Sequence, residues 1–342
     1  MINPLVSVCI PNYNNAKYLD ACLQSALDQT YDNNEVIFLD DGSTDNSISI
    51  AQKYENRVRI FRNDMNCGQP MSTNRCLEYA RGEYIVILHS DDMLLPNFAE
   101  KLVTILNQYP QVGMAVGERL ETDETGMVRN ITPFYNIDCV IPGERQAKVF
   151  LFMSFLPCQV LFRREMFNKV GGIDLRHIVN LDGLMWFKCA LEADVAYIRE
   201  PVGIYRVHGE STTAHYNRSI DHMLEYYATL SEMLRLGRSR PYLEQFFESA
   251  VKRVGQLTLR YCHGVFRDGN YDLALRFLSL AKVFDPEIDR THTWRTMKYC
   301  AEATERNPGK LYSQLLETMT PEVRSYSYDP PDGYLPLVPC ME

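Results

Sequence analysis

Over about the first hundred residues, short β-rich apolar runs alternate with amphipathic stretches. The alternation predicts strands at Val6–Ile10, Val36–Leu39, Val58–Phe61, Tyr84–Leu88 and Val112–Val116. Helices are predicted between them at Lys17–Gln29, Ser47–Tyr54, Pro70–Ala80 and Pro96–Gln108. This order is that of an α/β fold, a mainly parallel sheet covered by helices. In such sheets ligands gather at the carboxyl ends of the strands. Three polar clusters fall there: Pro11-Asn12-Tyr13-Asn14, Asp40-Asp41-Gly42-Ser43 and Ser90-Asp91-Asp92.

From about Thr122 to Tyr205 the pattern loosens into a polar insertion, a helix near Gln146–Phe152, a strand near Gln159–Phe162 and a helix beginning near Asp182. The segment closes on two short extended runs in VAYIREPVGIYRVHGESTT, an arrangement that adds mixed strands and a lid to a parallel sheet. Beyond His215 the periodicity is helical almost throughout. The expected division is an α/β domain over 1–214, a helical region over 215–330 and an irregular, proline-rich tail over 331–342. Within the helical region, GNYDLALRFLSLAKVFDPEID looks like one tetratricopeptide-type hairpin, and one unit falls short of an array.

With 342 residues, 46% of them hydrophobic, the chain can bury a large core. Its net charge of −9 argues against general nucleic-acid binding, which needs a basic face against phosphates. Ten scattered cysteines without a C-x-x-C pair read as reduced thiols of a cytoplasmic protein. The opening MINPLVSVCIPNYN reads as a first strand rather than a signal peptide. No apolar run approaches the roughly 20 residues of a spanning helix, so any membrane association is expected to be peripheral. Oligomeric state is not legible.

Two clusters carry candidate chemistry. In Asp40-Asp41-Gly42-Ser43-Thr44-Asp45, Gly42 suits the turn and Asp45 a helix cap, while two further carboxylates exceed what capping needs and suit hydrogen bonds to a base or ribose. Asp91-Asp92 follows the strand YIVIL and precedes Pro96, a helix starter. Crowded carboxylates at a strand end are unfavourable unless a cation, protons or donors compensate. A divalent metal bridging to a diphosphate is the economical explanation, because Mg²⁺ and Mn²⁺ favour oxygen ligands.

VSVCIPNYNNAKYLDACLQSALDQTYDNNEVIFLDDGSTDNS and NCGQPMSTNRCLEYARGEYIVILHSDDMLLP closely resemble the N-terminal half of family-2 glycosyltransferases of the GT-A type. VGGIDLRHIVNLDGLMWFKCAL and IYRVHGEST extend the resemblance over residues 4–213. It implies a GT-A nucleotide-diphospho-sugar transferase fold. It also implies that Pro11, Tyr13 and Asn14 surround a uracil-like ring, with Asp41 accepting from the imide N–H and Asp40 supporting the loop. Asp91 is then expected at the ribose or sugar and Asp92 on Mn²⁺ or Mg²⁺. Asn74 matches a donor-binding position, His208 one that reaches the metal or diphosphate, and Arg206 one that supports the leaving phosphate or pairs with a carboxylate. Asp182 falls on the family's acidic motif and is the candidate base; as a plain structural residue it would cap the following helix. Trp186 is expected to pack in the core.

The chain departs from the family pattern in three places. His89 stands where many members lead with aspartate in D-x-D-D, Thr73 stands where arginine often precedes the asparagine, and the first acidic position before Asp182 is lost to Asn180 or Leu181. The expected activity is metal-dependent, inverting transfer of a sugar from a nucleotide-diphosphate donor, a UDP-sugar first, to a saccharide or lipid-linked saccharide acceptor. A non-catalytic sugar-nucleotide or glycan-binding scaffold of the same fold is the alternative. A nucleotidyltransferase fits less well, since SVCIPNYN carries no Gly-rich phosphate loop, and a dehydrogenase is disfavoured by the missing G-x-G-x-x-G.

Overall fold

The computed structural model of the chain describes residues 3–209, 219–302 and 326–337. Two compact units emerge, Met1–Val207 with Ser325–Glu342, and His208–Arg324. The last part of the IYRVHGEST motif and the expected boundary at 214–215 lie outside the described residues.

The first unit is built on one mixed sheet. Strands β1 (Val6–Asn12), β2 (Asn34–Asp40), β3 (Val58–Arg62) and β4 (Tyr84–Ile87) run parallel in the order β3-β2-β1-β4. All seven residues of β1 are buried, as expected of a central strand covered on both faces. Helices α1 (Ala16–Leu27), α2 (Ser47–Gln52), α3 (Gln69–Tyr79) and α4 (Phe98–Gln108) alternate with these strands. α1 buries Leu19, Cys22, Leu23 and Ala26, one stripe at helical spacing. The elements predicted for this half lie within two residues of those observed.

Beyond β4 the sheet turns mixed. Strand β9 (Val160–Arg163) lies antiparallel between β4 and β6 (Val112–Thr122), and β6 is parallel to β10 (Asp194–Arg206). The two short runs expected before residue 207 are a single 13-residue strand, with register shifts around Pro201 absorbing the break. β6 also runs further than predicted, to Thr122, into the stretch read as a polar insertion. The short strand β5 (Met93–Leu94) pairs antiparallel with Gly203 and Ile204 of β10, β7 (Val128–Asn130) with β6, and β8 (Cys139–Ile141) with β10. Helices α5 (Gly143–Phe150), α6 (Arg164–Val170) and α7 (Leu181–Glu192) complete the unit. In the segment expected to be irregular, β11 (Leu335–Pro336) adds an edge strand to β8. Trp186 is fully buried, its indole N–H donating to Phe155 O at 3.1 Å, so its role is packing.

The second unit comprises α8 (Ile220–Gly237), α9 (Pro241–Glu244), α10 (Phe247–Arg267), α11 (Tyr271–Phe284) and α12 (His292–Glu302). Ser219 caps α8 by accepting from the His222 N–H, and Asn270 caps α11 by accepting from Leu273 N–H. Asp268-Gly269-Asn270 closes α10 and α11 into a hairpin, with Gly269 at φ +74°. Among the described residues no helix is long and apolar enough to cross a membrane.

Candidate functional site

The first two strand-end loops are knitted to each other by side chains. At the end of β1, buried Asn12 donates to Asp40 Oδ1 (3.1 Å) and Ser43 Oγ (3.2 Å). Asn14 adopts a left-handed backbone at φ 51°, which asparagine tolerates better than most residues. In that conformation its N–H donates to Ser43 Oγ (2.9 Å), and its Oδ1 accepts the Thr44 N–H (2.8 Å). Asp40 is fully buried and accepts from the Ser43 N–H (3.0 Å). Asp40 and Asn14 are thus spent on loop shape, which leaves Tyr13, 46% exposed, as the side chain presented at this corner. Pro11 lies buried in β1, opposite Leu39. Asp45 ties two helix starts together, accepting from Ala16 N–H (2.9 Å) and Ser47 N–H (3.0 Å), contacts that hold its carboxyl below the ordinary range despite partial burial.

Asp41 turns the other way. Its Oδ1 accepts from Asn63 Nδ2 (2.7 Å) and Cys67 N–H (2.9 Å), and its Oδ2 accepts from Gly68 N–H (2.9 Å). Two carboxylate oxygens offer about four acceptor sites, so three are filled and, among the described residues, the fourth, on Oδ2, receives no donor. Gly42 sits at φ +72°, and a Cβ there would lie 2.8 Å from the Met65 carbonyl carbon, so both backbone and space demand glycine. Asn63, which sequence reasoning did not single out, links Asp41 to Arg75, whose Nη1 donates to Asn63 Oδ1. Its position just past β3 was the signal, the same strand-end rule that found the other clusters. Asn74 is placed elsewhere. Its Nδ2 donates to Ile173 O (2.8 Å) and its Oδ1 accepts Ile173 N–H (2.7 Å), so the carboxamide clamps the turn at Gly171-Gly172.

The acidic pair sits in the turn between β4 and β5, closed by Asp92 N–H to His89 O (3.0 Å). Because β5 pairs with the end of β10, that turn meets Arg206. Arg206 N–H donates to Asp92 Oδ1 (2.9 Å), its Nε donates to Asp91 O (3.0 Å), and its guanidinium lies 4.7 Å from the centre of the Tyr18 ring. These contacts make Arg206 a positioning residue for the pair. One potential ligand atom from each of His89, Asp91 and Asp92 falls within 4.8 Å of the others, the donor group of this kind found among the described residues. Asp92 is 1% exposed, and burial, reinforced by the Asp91 charge, pushes its carboxyl well above the usual range. Such a cluster fits a divalent cation: an imidazole and two crowded carboxylates lose their mutual repulsion when a cation joins them.

The imidazole in this group is His89. His208, the ligand expected from the sequence, is the first residue of the second unit. His89 Nε2 lies 3.1 Å from Gln69 Nε2, a contact that holds the ring. Asp182 stands in the first turn of α7, behind Asn180, which takes a left-handed φ of 54°. Burial raises the Asp182 carboxyl, partly offset by the charge of His89 and by the N–H groups opening α7. Asp182 therefore sits one residue inside the helix rather than at the cap, which is Asn180, and is in electrostatic contact with His89; a carboxylate of raised basicity there suits proton abstraction.

A family model described as "Glycosyl transferase family 2" matches residues 7–171. An uncharacterized glycosyltransferase of Rickettsia typhi is 31% identical over 244 residues, 68% of this chain and 72% of that protein. Glycosyltransferase GlyG of Streptococcus pneumoniae is 30% identical over 225 residues, 60% of this chain and 71% of that one. Among solved structures, residues 1–349 of S. aureus TarS in complex with UDP-GlcNAc match with a TM-score of 0.55 at 18% identity, covering 86% of this chain and 90% of that chain. The mannosyltransferase PcManGT of Pyrobaculum calidifontis in complex with GDP-Man and Mn²⁺ matches with a TM-score of 0.55 at 16% identity, covering 93% and 87%. At these identities the structural likeness is one of fold, and that fold is the GT-A fold the sequence implied.

Proposed function

Because the chain belongs to glycosyltransferase family 2, we propose that it moves a sugar from a nucleotide-diphosphate donor, a UDP-sugar first, to a hydroxyl of a saccharide or lipid-linked saccharide in the cytoplasm, with inversion at the anomeric carbon. The observation that carries this reading is the convergence of His89, Asp91 and Asp92 at a strand end, with Asp182 in electrostatic reach of His89. Tyr13 and the open acceptor site on Asp41 Oδ2 supply a face and an imide partner for uracil. The two neighbours of known structure were solved with UDP-GlcNAc and with GDP-Man and Mn²⁺, which supports a nucleotide-sugar donor and leaves its base to be tested.

Asp92, Asp91 and His89 would hold Mn²⁺ or Mg²⁺, which as a Lewis acid would stabilise charge on the departing nucleoside diphosphate. Arg206 holds the Asp91–Asp92 turn in place, its N–H donating to Asp92 Oδ1 and its Nε to Asp91 O. Asp182 takes the proton from the acceptor hydroxyl as its oxygen attacks the anomeric carbon. Breaking the bond to phosphate from the opposite side in one displacement inverts the centre.

The test is nucleotide release from a panel of UDP-, GDP- and dTDP-sugars with Mn²⁺ or Mg²⁺ and mixed saccharide acceptors. Release above background with a UDP-sugar is expected. Binding of a nucleotide sugar without turnover on any acceptor would overturn the transferase reading for this site in favour of a sugar-nucleotide-binding module.

A further inference from the structure

Helix α10 carries a charge pattern that the transferase chemistry does not use. After Glu248, which pairs with Lys252 at 2.8 Å in its first turn, no acidic residue appears before the helix ends at Arg267. Arg253, Arg260 and Arg267 recur every seven residues, which returns each to nearly the same face and spaces them by about 10 Å along the axis. Arg260 and Arg267 are exposed, and among the described residues neither makes an ion pair, while Arg253 reaches only Gln256 Oε1 at 3.2 Å. Elsewhere in the same unit several surface cations are neutralised: Arg235 pairs with Glu232, Arg290 with Glu287, Lys282 with Asp289 and Lys298 with Glu302, whereas among the described residues exposed Arg238 and Arg276 stand singly on other helices or turns. What sets the row apart is its regular spacing on one helix face, on a chain whose net charge is −9. His263, three residues after Arg260 and four before Arg267, is held below its ordinary pKa by burial and then by the charges of Arg267 and Arg260. Gly264 lies on this face too, and a Cβ added there would meet nothing within 4 Å.

We infer that the Arg253–Arg260–Arg267 face of α10 is a docking surface for an anionic lipid bilayer. A straight row on a convex helix matches phosphates presented in a plane, whereas a soluble polyanion is held better by a groove that wraps it. Peripheral contact is the form open to it, since no described helix can span a bilayer. The inference stands apart from the proposed sugar transfer, because none of these residues belongs to the strand-end site.

Vesicle co-sedimentation of the full chain tests it, with phosphatidylcholine alone and with phosphatidylcholine containing phosphatidylglycerol. Binding only to the anionic vesicles, weakening with added salt, is expected. Arg260→Ala with Arg267→Ala should lower the partition coefficient about thirtyfold, and Arg260→Lys with Arg267→Lys should keep most of it. Both double variants replace exposed side chains and should melt with the wild type. No preference for anionic vesicles, equal binding by the alanine variant, or binding to polyphosphate in titration without binding to vesicles would each overturn the inference.

Discussion

Asn74→Ala separates two roles for a residue that the sequence associates with donor binding and the structure places on a turn. Its carboxamide makes two hydrogen bonds, at 2.7 and 2.8 Å, to the peptide groups of Ile173, 99 residues away. The contact is close enough that a Cβ on Gly172 would sit 2.0 Å from Asn74 Oδ1. Each hydrogen bond contributes about 1 kcal/mol net, and part-buried Ile173 N–H and C=O groups left without partners add about another. The variant should therefore lose about 2 to 3 kcal/mol. For a folded unit of this size that lowers Tm by roughly 5 to 10 °C. Differential scanning calorimetry measures the loss, and isothermal titration with a UDP-sugar measures donor affinity, expected to stay within about threefold because the amide faces Ile173. An unchanged Tm together with a large loss of donor affinity would refute the clamp and return Asn74 to the donor site.

Asp182→Asn should lower turnover by about 10²–10⁴ while leaving donor affinity intact, as expected for a lost general base; equal activity in the variant would remove Asp182 from that role. Asp92→Asn should weaken Mn²⁺ binding, measured by electron paramagnetic resonance of the free ion, more than His208→Ala does, and the reverse order would move the metal site toward His208. Asp174 is held well below the usual carboxylate range by its bidentate pairing with Arg176 at 2.6 and 3.0 Å. A depressed folded pKa stabilises above the unfolded pKa of about 4 and loses that contribution as pH falls through the folded value. Thermal melts should therefore show a wild-type advantage over Asp174→Asn at neutral pH that shrinks below about pH 4, and a constant gap would count against the ion pair.

Most of the first half of the fold was legible because its physics is local. The runs at Val6, Val36 and Tyr84 are buried on both faces, so an unbroken apolar stretch and a strand coincide. Legibility ends where burial depends on distant partners. Glu118 lies past the predicted strand end at Val116, yet it belongs to β6 at 2% exposure because Tyr197 Oη and the Phe134 N–H both donate to it at 2.6 Å. Arg199-Glu200-Pro201 reads as a break between two strands, and only pairing with β6 and β8 carries the chain through as one. At the site the acidic positions were legible because carboxylates at strand ends are conspicuous. The division of labour among them was not. That Asp40 shapes a loop while Asp41 keeps an acceptor open follows from hydrogen bonds spanning 22 to 28 residues.

His89 shows how one departure from a motif bears on chemistry. An aspartate at this position would put a third negative charge beside Asp91 and Asp92, raising the repulsion that a cation must offset. Imidazole removes that charge and keeps a donor atom within 4.8 Å of both carboxylates. Hard Mg²⁺ prefers an all-oxygen shell, whereas Mn²⁺ binds more readily where a nitrogen ligand is present. The expected consequence is that Mn²⁺ binds more tightly than Mg²⁺ in competition titrations, and that His89→Asp narrows the gap by restoring an oxygen-only set. Ranking Mg²⁺ above Mn²⁺ in the wild type, or an unchanged gap in the variant, would mean that His89 lies beside the ion without binding it. In that case its remaining effect is the one already seen on Asp182, whose raised carboxyl the imidazole charge draws back down.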